Sequence, residues 1–312
     1  MRAISQNALG GPEVLKMIEV ERPTPGPTEV LVRVHSAGVN PADWKTRAGG
    51  GHLGVPPFVL GWDVSGVVEQ VGLGTTIYRP GDEVFGMLRF PYGHGAYAEY
   101  VSAPARHFAP KPANLDHNQA AAIPLAALTA WQAVVDTARL TEGQRVLVHA
   151  AAGGVGHFAV QIAKARGAYV IGTASAAKHQ LLRDLGADEL VDYHDEDFAE
   201  VVRDVDVVID TIGGDYGPRS LRTLREGGTI VSLALSLLDE SLHARAAERG
   251  VRSAAMLVEP DHATMRALAA LAKAGKLRAE LAAVLPLADA AKAHELGESG
   301  RTTGKIVLSV RP

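Results

Sequence analysis

The sequence predicts a mixed α/β chain in which a β-rich leading segment is followed by a doubly wound parallel sheet. Three observations predict it. Up to about Ala113, short β-branched runs alternate with Gly and Pro punctuation, the mark of a compact antiparallel β domain. Beyond that point strand-like and amphipathic helical runs alternate, and right-handed crossovers turn such alternation into a parallel sheet covered by helices. The first strand of that alternation also runs directly into a glycine-rich turn.

Taken in order, residues 29–34, 64–71, 83–87 and 98–102 read as strands, bounded by turn formers such as Pro23-Thr-Pro-Gly-Pro27 and Pro80-Gly81-Asp82. Residues 145–149 read as a buried strand and 154–166 as a helix, with Val155, Ala159, Ile162 and Ala163 on one face and Gly167 ending it. A strand at 169–173, a helix at 178–185 ending at Gly186, and strands at 189–192, 205–210, 229–233 and 251–256 continue the pattern. A helix at 263–274 follows. The isolated run 305–310 is expected to return to the first domain, so the division read here is 1–115 with 281–312, and 116–280.

The chain has 312 residues, 47% apolar and 21% charged, with net charge −4, which suits a globular protein and gives no footprint for nucleic acid or an acidic membrane. It has no cysteine, which excludes disulfides, thiolate metal sites, iron–sulfur clusters and cysteine nucleophiles. The start, Met1-Arg-Ala-Ile-Ser-Gln-Asn7, lacks the basic-then-apolar pattern of a signal peptide, so a cytoplasmic location is expected. The most apolar stretch, 120–135, is broken by Pro124, Thr129 and Gln132 and reads as a buried helix rather than a membrane span.

The segment Val146-Leu-Val-His-Ala-Ala-Ala-Gly-Gly-Val-Gly156 carries the clearest chemistry. It reads as strand, tight turn and helix, matching G-x-G-x-x-G with Ala151 in the first place and then Gly153 and Gly156. Gly153 would let a pyrophosphate approach the backbone, Gly156 would let helix and strand pack closely, and the helix start at Gly154 and Val155 would offer N–H groups. Read without a ligand, the same turn is simply a tight connection. NAD sites place a carboxylate at the end of the next strand for the ribose hydroxyls. Here that place reads Gly172-Thr-Ala-Ser-Ala-Ala-Lys178, with no acid before Asp184. Ser175 and Lys178 could hold a 2′-phosphate, which favours NADPH; they would equally serve as an N-cap and a solvated helix residue.

An ordered set of strings then carries a resemblance: Ser36-Ala-Gly-Val-Asn-Pro-Ala-Asp-Trp-Lys45, Gly61-Trp-Asp-Val-Ser-Gly-Val-Val-Glu-Gln-Val-Gly72, Gly81-Asp-Glu-Val-Phe-Gly86, Gly95-Ala-Tyr-Ala-Glu-Tyr-Val101 and Ala121-Ala-Ile-Pro-Leu-Ala-Ala-Leu-Thr-Ala-Trp131. Over nearly its whole length the chain resembles the quinone oxidoreductase branch of the medium-chain dehydrogenase/reductase superfamily. The resemblance implies a split GroES-like β-rich catalytic domain, an inserted Rossmann domain that binds the dinucleotide, and a homodimer. It also bears on zinc. The positions where zinc-dependent relatives carry a cysteine and a histidine ligand hold Asn40 and Trp62, and no cysteine exists to build a structural zinc lobe. The histidines, among them His35, His52, His94 and His107, show no metal-binding spacing, so no metal is expected.

Without a Lewis acid, hydride should go to an acceptor that delocalises its own negative charge, as a quinone or an α,β-unsaturated carbonyl does. By resemblance Asn40 lies near the nicotinamide, where its amide could orient the cofactor or donate to the substrate oxygen. Lys45, in a string similar to that of the plant-type oxoene reductases, could stabilise an enolate. On the bland reading Asn40 is a turn residue before Pro41 and Lys45 a surface charge. Asp43 would orient Lys45 or cap the next turn. The resemblance also implies cofactor contacts from Thr129, Tyr193, Ile212, Leu233 and Ala234. The expected function is an NADPH-dependent reductase of small-molecule quinones, enones or alkenals. A polyketide-type enoyl reductase and a non-catalytic, redox-responsive NADPH-binding protein are the alternatives.

Overall fold

The computed structural model describes residues 1–92, 95–233 and 240–311. They form two compact units, Met1–Leu128 with Glu259–Pro312, and Thr129–Val258.

The first unit begins with β1 (Arg2–Gln6), β2 (Lys16–Glu19), β3 (Glu29–Val39), α1 (Pro41–Gly49), β4 (Phe58–Val59), β5 (Asp63–Val71), β6 (Glu83–Met87), β7 (Tyr100–Pro104), β8 (Phe108–Pro110), α2 (His117–Ala121) and the start of α3 (Pro124–Trp131). Its hub is β3. Residues 30–38 pair with β5, the first half also pairs with β7, and β5 leads on to β6 and β8, all antiparallel. A small sheet, β2-β1-β4, accompanies it. Val30, Leu31, Val32, Val34 and Ala37 are fully buried, as expected of a strand covered on both faces. Pro124 sits at the start of α3, where its missing N–H costs nothing, so the apolar stretch breaks after α2, and α3 runs on into a π-helical segment at Gln132–Thr137.

The second unit is a single six-stranded sheet. It contains β9 (Arg145–Val148), α4 (Gly156–Ala165), β10 (Tyr169–Thr173), α5 (His179–Asp184), β11 (Glu189–Val191), α6 (Phe198–Val201), β12 (Val205–Asp210), α7 (Tyr216–Ser220), β13 (Leu224–Ser232), α8 (Glu240–Glu248) and β14 (Arg252–Ala255). All neighbours are parallel, in the order β11-β10-β9-β12-β13-β14. This is the doubly wound order, with the direction of winding reversing at β9. Leu147, Ile171, Val208 and Ile230 on successive strands form one apolar layer with Phe198, Leu221 and Leu242 from the covering helices. The helix after β9 begins at Gly156 rather than 154, because the preceding residues make the turn itself.

The chain then returns through α9 (His262–Lys273), β15 (Leu281–Pro286), α10 (Ala290–Glu298) and β16 (Lys305–Ser309). β16 pairs antiparallel with the end of β3 and parallel with β15, so the terminal strand does rejoin the first unit. The joins fall at 128/129 and 258/259, against 115/116 and 280/281 in the sequence reading. The difference is physical: α2 packs on β3 and β5, and α9 packs on β8, so both helices stay with the β-rich unit. Among the described residues no helix is long and apolar enough to cross a membrane.

Candidate active site

In the second unit the turn after β9 is built from a strained start and an open end. Ala150 has φ of 45°, and its N–H donates to Thr173 Oγ1 at 3.3 Å while Ala151 N–H donates to Thr173 O at 3.0 Å. A Cβ on Gly156 would lie 2.3 Å from Ala150 O and 2.9 Å from Ala151 Cα, so only glycine lets α4 start this close to the strand. Gly153 has 3.1 Å at the same place. Ala151, the departure from the strict glycine pattern, is fully buried, and it fits because the residue facing it on β10 is Gly172. A Cβ there would stand 2.9 Å from the Ala151 methyl. Among the described residues no protein acceptor meets the N–H groups of Gly154, Val155 and Gly156. With the α4 dipole behind them, these donors suit a pyrophosphate, and the residues present therefore fit a dinucleotide.

A buried histidine supports this turn. His149 ends the β9 run, is fully buried, and places Nδ1 3.2 Å from Thr173 Oγ1 and Nε2 2.8 Å from Ser220 Oγ. Ser220 spends its own hydrogen on Tyr216 O at 2.6 Å, so Nε2 carries the proton and Nδ1 accepts from Thr173. Burial, and then the nearby Arg219, push the imidazole pKa down to about 3, so the ring stays neutral. Asp210, at the end of β12, accepts from Ile212 and Gly213 N–H at 2.9 Å each and shapes the loop on which Ile212 stands half exposed.

The loop after β10 carries Ser175 and Lys178, both half-buried, with no hydrogen bond to the Ser175 hydroxyl and no ion pair at Lys178 among the described residues. The structure also brings up a carboxylate that spacing did not reveal. Asp192, after β11, accepts from Ala176 N–H at 2.8 Å and His194 N–H at 2.9 Å, and these bonds, the one from His194 first, hold its pKa below the usual range. Tyr193 beside it is exposed, its ring 4.4 Å from that of His194. Thr129, in α3, is buried, and Leu233 follows β13 with its N–H on Asp210 O. Ala234 lies outside the described residues, as does His94.

In the first unit Asn40, the residue before α1, is 1% exposed and held from three sides. Its Nδ2 donates to Asp63 Oδ2 at 2.9 Å, its Oδ1 accepts from the Lys305 ammonium, and its backbone N–H donates to Asp43 Oδ2 at 2.6 Å. Lys305 donates also to Val39 O at 2.9 Å, and Asp63 Oδ1 accepts from Leu125 N–H at 2.8 Å. Asp43 thus caps α1 and is fully buried; it does not orient Lys45, which is exposed on the far side of the same helix.

From Asp43 a line of side chains runs outward. Tyr97 Oη lies 3.2 Å from His294 Nε2, His294 Nδ1 lies 3.2 Å from Arg47 Nη1, and Arg47 pairs with Glu298 at 2.7 Å. Arginine can only donate, so His294 Nδ1 accepts and its Nε2–H donates to Tyr97. The tyrosine hydrogen is then left to point toward Asp43, whose Oδ1 has no partner meeting hydrogen-bond geometry. Burial raises the Asp43 pKa to about 7 and that of Asp63 to about 6, despite the pull of Lys305 on both. Burial likewise lowers Lys305, and lowers His294 to about 3 with help from Arg47. Sequence reading passes over Asp63, Tyr97 and His294 as site residues, and places Lys305 near the cleft without claiming it for the site. Asp63 and Tyr97 sit inside the marker strings, and Lys305 heads the terminal strand, but nothing in the local pattern singles out His294.

These residues do not fit zinc. Asn40 Oδ1 already accepts from an ammonium, and Trp62, 1% exposed, fills the other position with an indole packed edge-on to Phe90 at 5.2 Å. Among the described residues no three His, Asp or Glu groups are placed to hold a metal.

Comparison with known proteins agrees with this architecture. Residues 26–113 match the alcohol dehydrogenase GroES-like domain, and residues 185–308 match the zinc-binding dehydrogenase family. The chain is 36% identical to a 2-haloacrylate reductase of Burkholderia sp, over 96% of each protein. It superposes on the quinone oxidoreductase of Coxiella burnetii with a TM-score of 0.93 at 39% identity, covering 100% of this chain and 99% of that one. An Escherichia coli quinone oxidoreductase solved in complex with NADPH gives 0.89 at 30% identity, covering 99% of this chain and 100% of that one. With a GroES-like sheet rebuilt from both ends of the chain, a doubly wound sheet and these relatives, the protein belongs to the quinone oxidoreductase branch of the medium-chain dehydrogenase/reductase superfamily.

Proposed function

We propose that this protein is an NADPH-dependent reductase that delivers hydride to a quinone or to the double bond of an α,β-unsaturated carbonyl. The observation that carries the reading is the row of open N–H groups at Gly154, Val155 and Gly156, at the carboxyl edge of the sheet where its strand order reverses. That the Escherichia coli relative was solved with NADPH supports the choice of nicotinamide cofactor. Ser175 and Lys178, neither committed to a side-chain partner among the described residues, are the groups we assign to the 2′-phosphate. Asp192 stands against this assignment by its charge, but two backbone N–H groups hold that charge on the loop.

When bound, the nicotinamide would supply the hydride, which carries both electrons of the reduction. The turn after β9 holds the pyrophosphate, with Thr129, Tyr193, Ile212, Leu233 and Ala234 assigned as further contacts. Hydride would add to the electrophilic carbon of the acceptor, the conjugated π electrons would shift onto its oxygen, and a proton from water or a nearby donor would complete the reduction. Asn40 is assigned to donate to that oxygen, and Lys45, exposed on α1, to a weaker, longer-range stabilisation. We take the working unit to be a homodimer.

The test is NADPH consumption against a quinone, an enone, an alkenal and a saturated ketone, with NADH in parallel. Turnover of the conjugated acceptors but not the saturated ketone is expected. NADPH binding without turnover of any acceptor would refute the reading, and a preference for NADH would remove the roles given to Ser175 and Lys178.

A further inference from the structure

We infer that Lys305 and Asp63 are positioning residues that lock the Asn40 carboxamide in one orientation, leaving a single Nδ2 hydrogen to serve the substrate oxygen. The inference rests on the reductase reading above and deepens it.

A carboxamide has two ends that differ only in donor and acceptor character, and it can usually flip. At Asn40 each end meets a partner of one kind. The Lys305 ammonium has donors and no acceptor, so the atom facing it must be Oδ1. The Asp63 carboxylate has acceptors and no donor, so the atom facing it, at 2.9 Å, must be Nδ2. The partners are themselves fixed. Lys305 is 3% exposed, tied to Val39 O at 2.9 Å and 3.9 Å from Asp63 Oδ2. Asp63 is fully buried, with its second oxygen on Leu125 N–H. The backbone is shaped to bring them together. Gly304, with φ of 73°, lies so close to Glu280 O that a Cβ would stand 2.1 Å from it, which lets Lys305 enter beneath β3. On β3 itself a Cβ at Gly38 would meet Ala121 O at 2.4 Å and Asp63 Cβ at 2.9 Å.

Burying an ammonium and a carboxylate is a poor way to stabilise a fold, since a well-packed apolar pair of similar volume often does as well or better. The pair does, however, polarise the amide at its oxygen and fix the direction of the remaining N–H. Preorganised donors of this kind act in a water-poor site without having to reorient as charge develops. The lock is also sensitive to protonation. An Asp63 carboxyl that gains a proton can donate and no longer requires Nδ2, so one of the two restraints on the carboxamide is lost while Lys305 still holds Oδ1. The charged and titratable groups facing Asp63 are Lys305 from β16 and Asp43 from α1, with Tyr97 beyond Asp43.

The test compares Lys305→Met, Lys305→Arg and Asp63→Asn with the unmodified chain in the acceptor panel and in a spectrum of the protein alone. The chain has four asparagines, so selective 15N labelling resolves the Asn40 side-chain amide. In the unmodified protein two distinct Nδ2 hydrogens are expected, moving together as pH falls through the Asp63 titration at about 6. In Lys305→Met the amide 15N and both hydrogens should shift as Oδ1 loses its ammonium partner, with only Asp63 left to hold the carboxamide. The same variant should lose about 10- to 100-fold in kcat with the KM for NADPH unchanged. The acid limb of its kcat profile should move up by about one pH unit, because losing the cation makes the buried carboxylate harder to ionise. An Asp43→Asn background keeps the second carboxyl out of that profile. Lys305→Arg should restore part of kcat. Should Lys305→Met not fold, Asp63→Asn decides, since an amide there can donate as well as accept and so frees the Nδ2 end of Asn40, leaving only Lys305 to hold it. Variants that fold with kcat, acid limb and amide signals unchanged would overturn the inference. Failure of the unmodified protein to reduce any acceptor would instead overturn the reductase reading, and leave the amide spectrum to judge the lock alone.

Discussion

The turn after β9 keeps its donors open, whereas the pocket around Asn40 closes on itself with buried charge. Each region has a fully buried histidine in the middle of a one-way line of hydrogen bonds: Ala150 to Thr173 to His149 to Ser220 in one, Arg47 to His294 to Tyr97 in the other. Both rings are held neutral by burial. The lines end differently. The first ends on a backbone carbonyl, Tyr216 O, and leaves the N–H groups beside it for a ligand. The second ends at Asp43, one of two buried carboxyls beside a buried ammonium, where almost every polar atom already has a protein partner. A binding surface for an anion can be built from unpaired backbone donors because solvent satisfies them until the ligand arrives. A group that must meet a short-lived oxyanion has to be fixed beforehand, and fixing it consumes its other hydrogen bonds.

The largest expected effect separates the two regions outright. Gly156→Val places a side chain where Cβ alone would stand 2.3 Å from Ala150 O, so α4 must move off the turn. NADPH affinity, measured by the change in protein fluorescence on titration, should fall at least about 100-fold, which is about 2.7 kcal/mol. The Asn40 amide signals should be unaffected. If binding survives, the turn is not the pyrophosphate site and the two regions do not differ in this way.

Tyr97→Phe tests the other line. It leaves the His294 Nε2–H buried without an acceptor, a loss of about 1–3 kcal/mol, seen as a fall of several degrees in Tm. NADPH affinity should be unchanged. A Tm equal to that of the unmodified protein would show that the line from Arg47 to Asp43 contributes no order.

How much of this was legible in the sequence follows from how far apart the partners are. The turn residues Ala151 to Gly156 are consecutive, and their chemistry is that of the backbone, so spacing alone exposed them. The parallel sheet was legible for the same reason: each strand is a short apolar run followed by its helix. β15 escaped notice because Leu-Ala-Ala-Val-Leu-Pro has no alternation and only moderate burial, and β2 because Lys-Met-Ile-Glu is mostly exposed. The Asn40 pocket gathers residues 40, 43, 63, 97, 294 and 305. Only the return of β16 to β3 brings the last of these to Asn40, a contact no local pattern encodes. Lys45 and Asp43, two residues apart on α1, show the limit of reading by neighbourhood, since the helix turns one inward and the other to solvent.

A smaller effect concerns pH. The Asp43 pKa in the folded protein is about 7, above the ordinary carboxylate value that the unfolded chain would show. The folded state therefore binds the extra proton, and stability from this group is greatest at low pH and declines as pH rises from about 4 to about 7. Asp43→Asn keeps an acceptor for the Asn40 N–H and cannot ionise. Its Tm relative to the unmodified protein should accordingly become more favourable between pH 5 and pH 8, by at least about 2 °C. A difference that is flat, or that moves the other way, would mean that Asp43 is ionised throughout.

The smallest effect sharpens the account of the turn. Ala151 stands where the dinucleotide fingerprint has its first glycine, and the space for its methyl comes from Gly172 on the neighbouring strand. Gly172→Ala should therefore destabilise the second unit by about 1–3 kcal/mol through overpacking, since the two methyl carbons would start 2.9 Å apart. Ala151→Gly alone should cost about 1 kcal/mol or less, from chain entropy and a small void. In the double variant the methyl has only changed strands, and most of the Gly172→Ala loss should return, giving a coupling of about 1–2 kcal/mol in a denaturation cycle. Additive losses would mean that the methyl at 172 clashes elsewhere, as with Leu190 Cδ2 at 3.1 Å, and that the alanine at 151 needs another explanation. Coupling of the expected size would show that the glycine fingerprint is a volume shared between two strands, and that one of its members can change places without closing the turn to a phosphate.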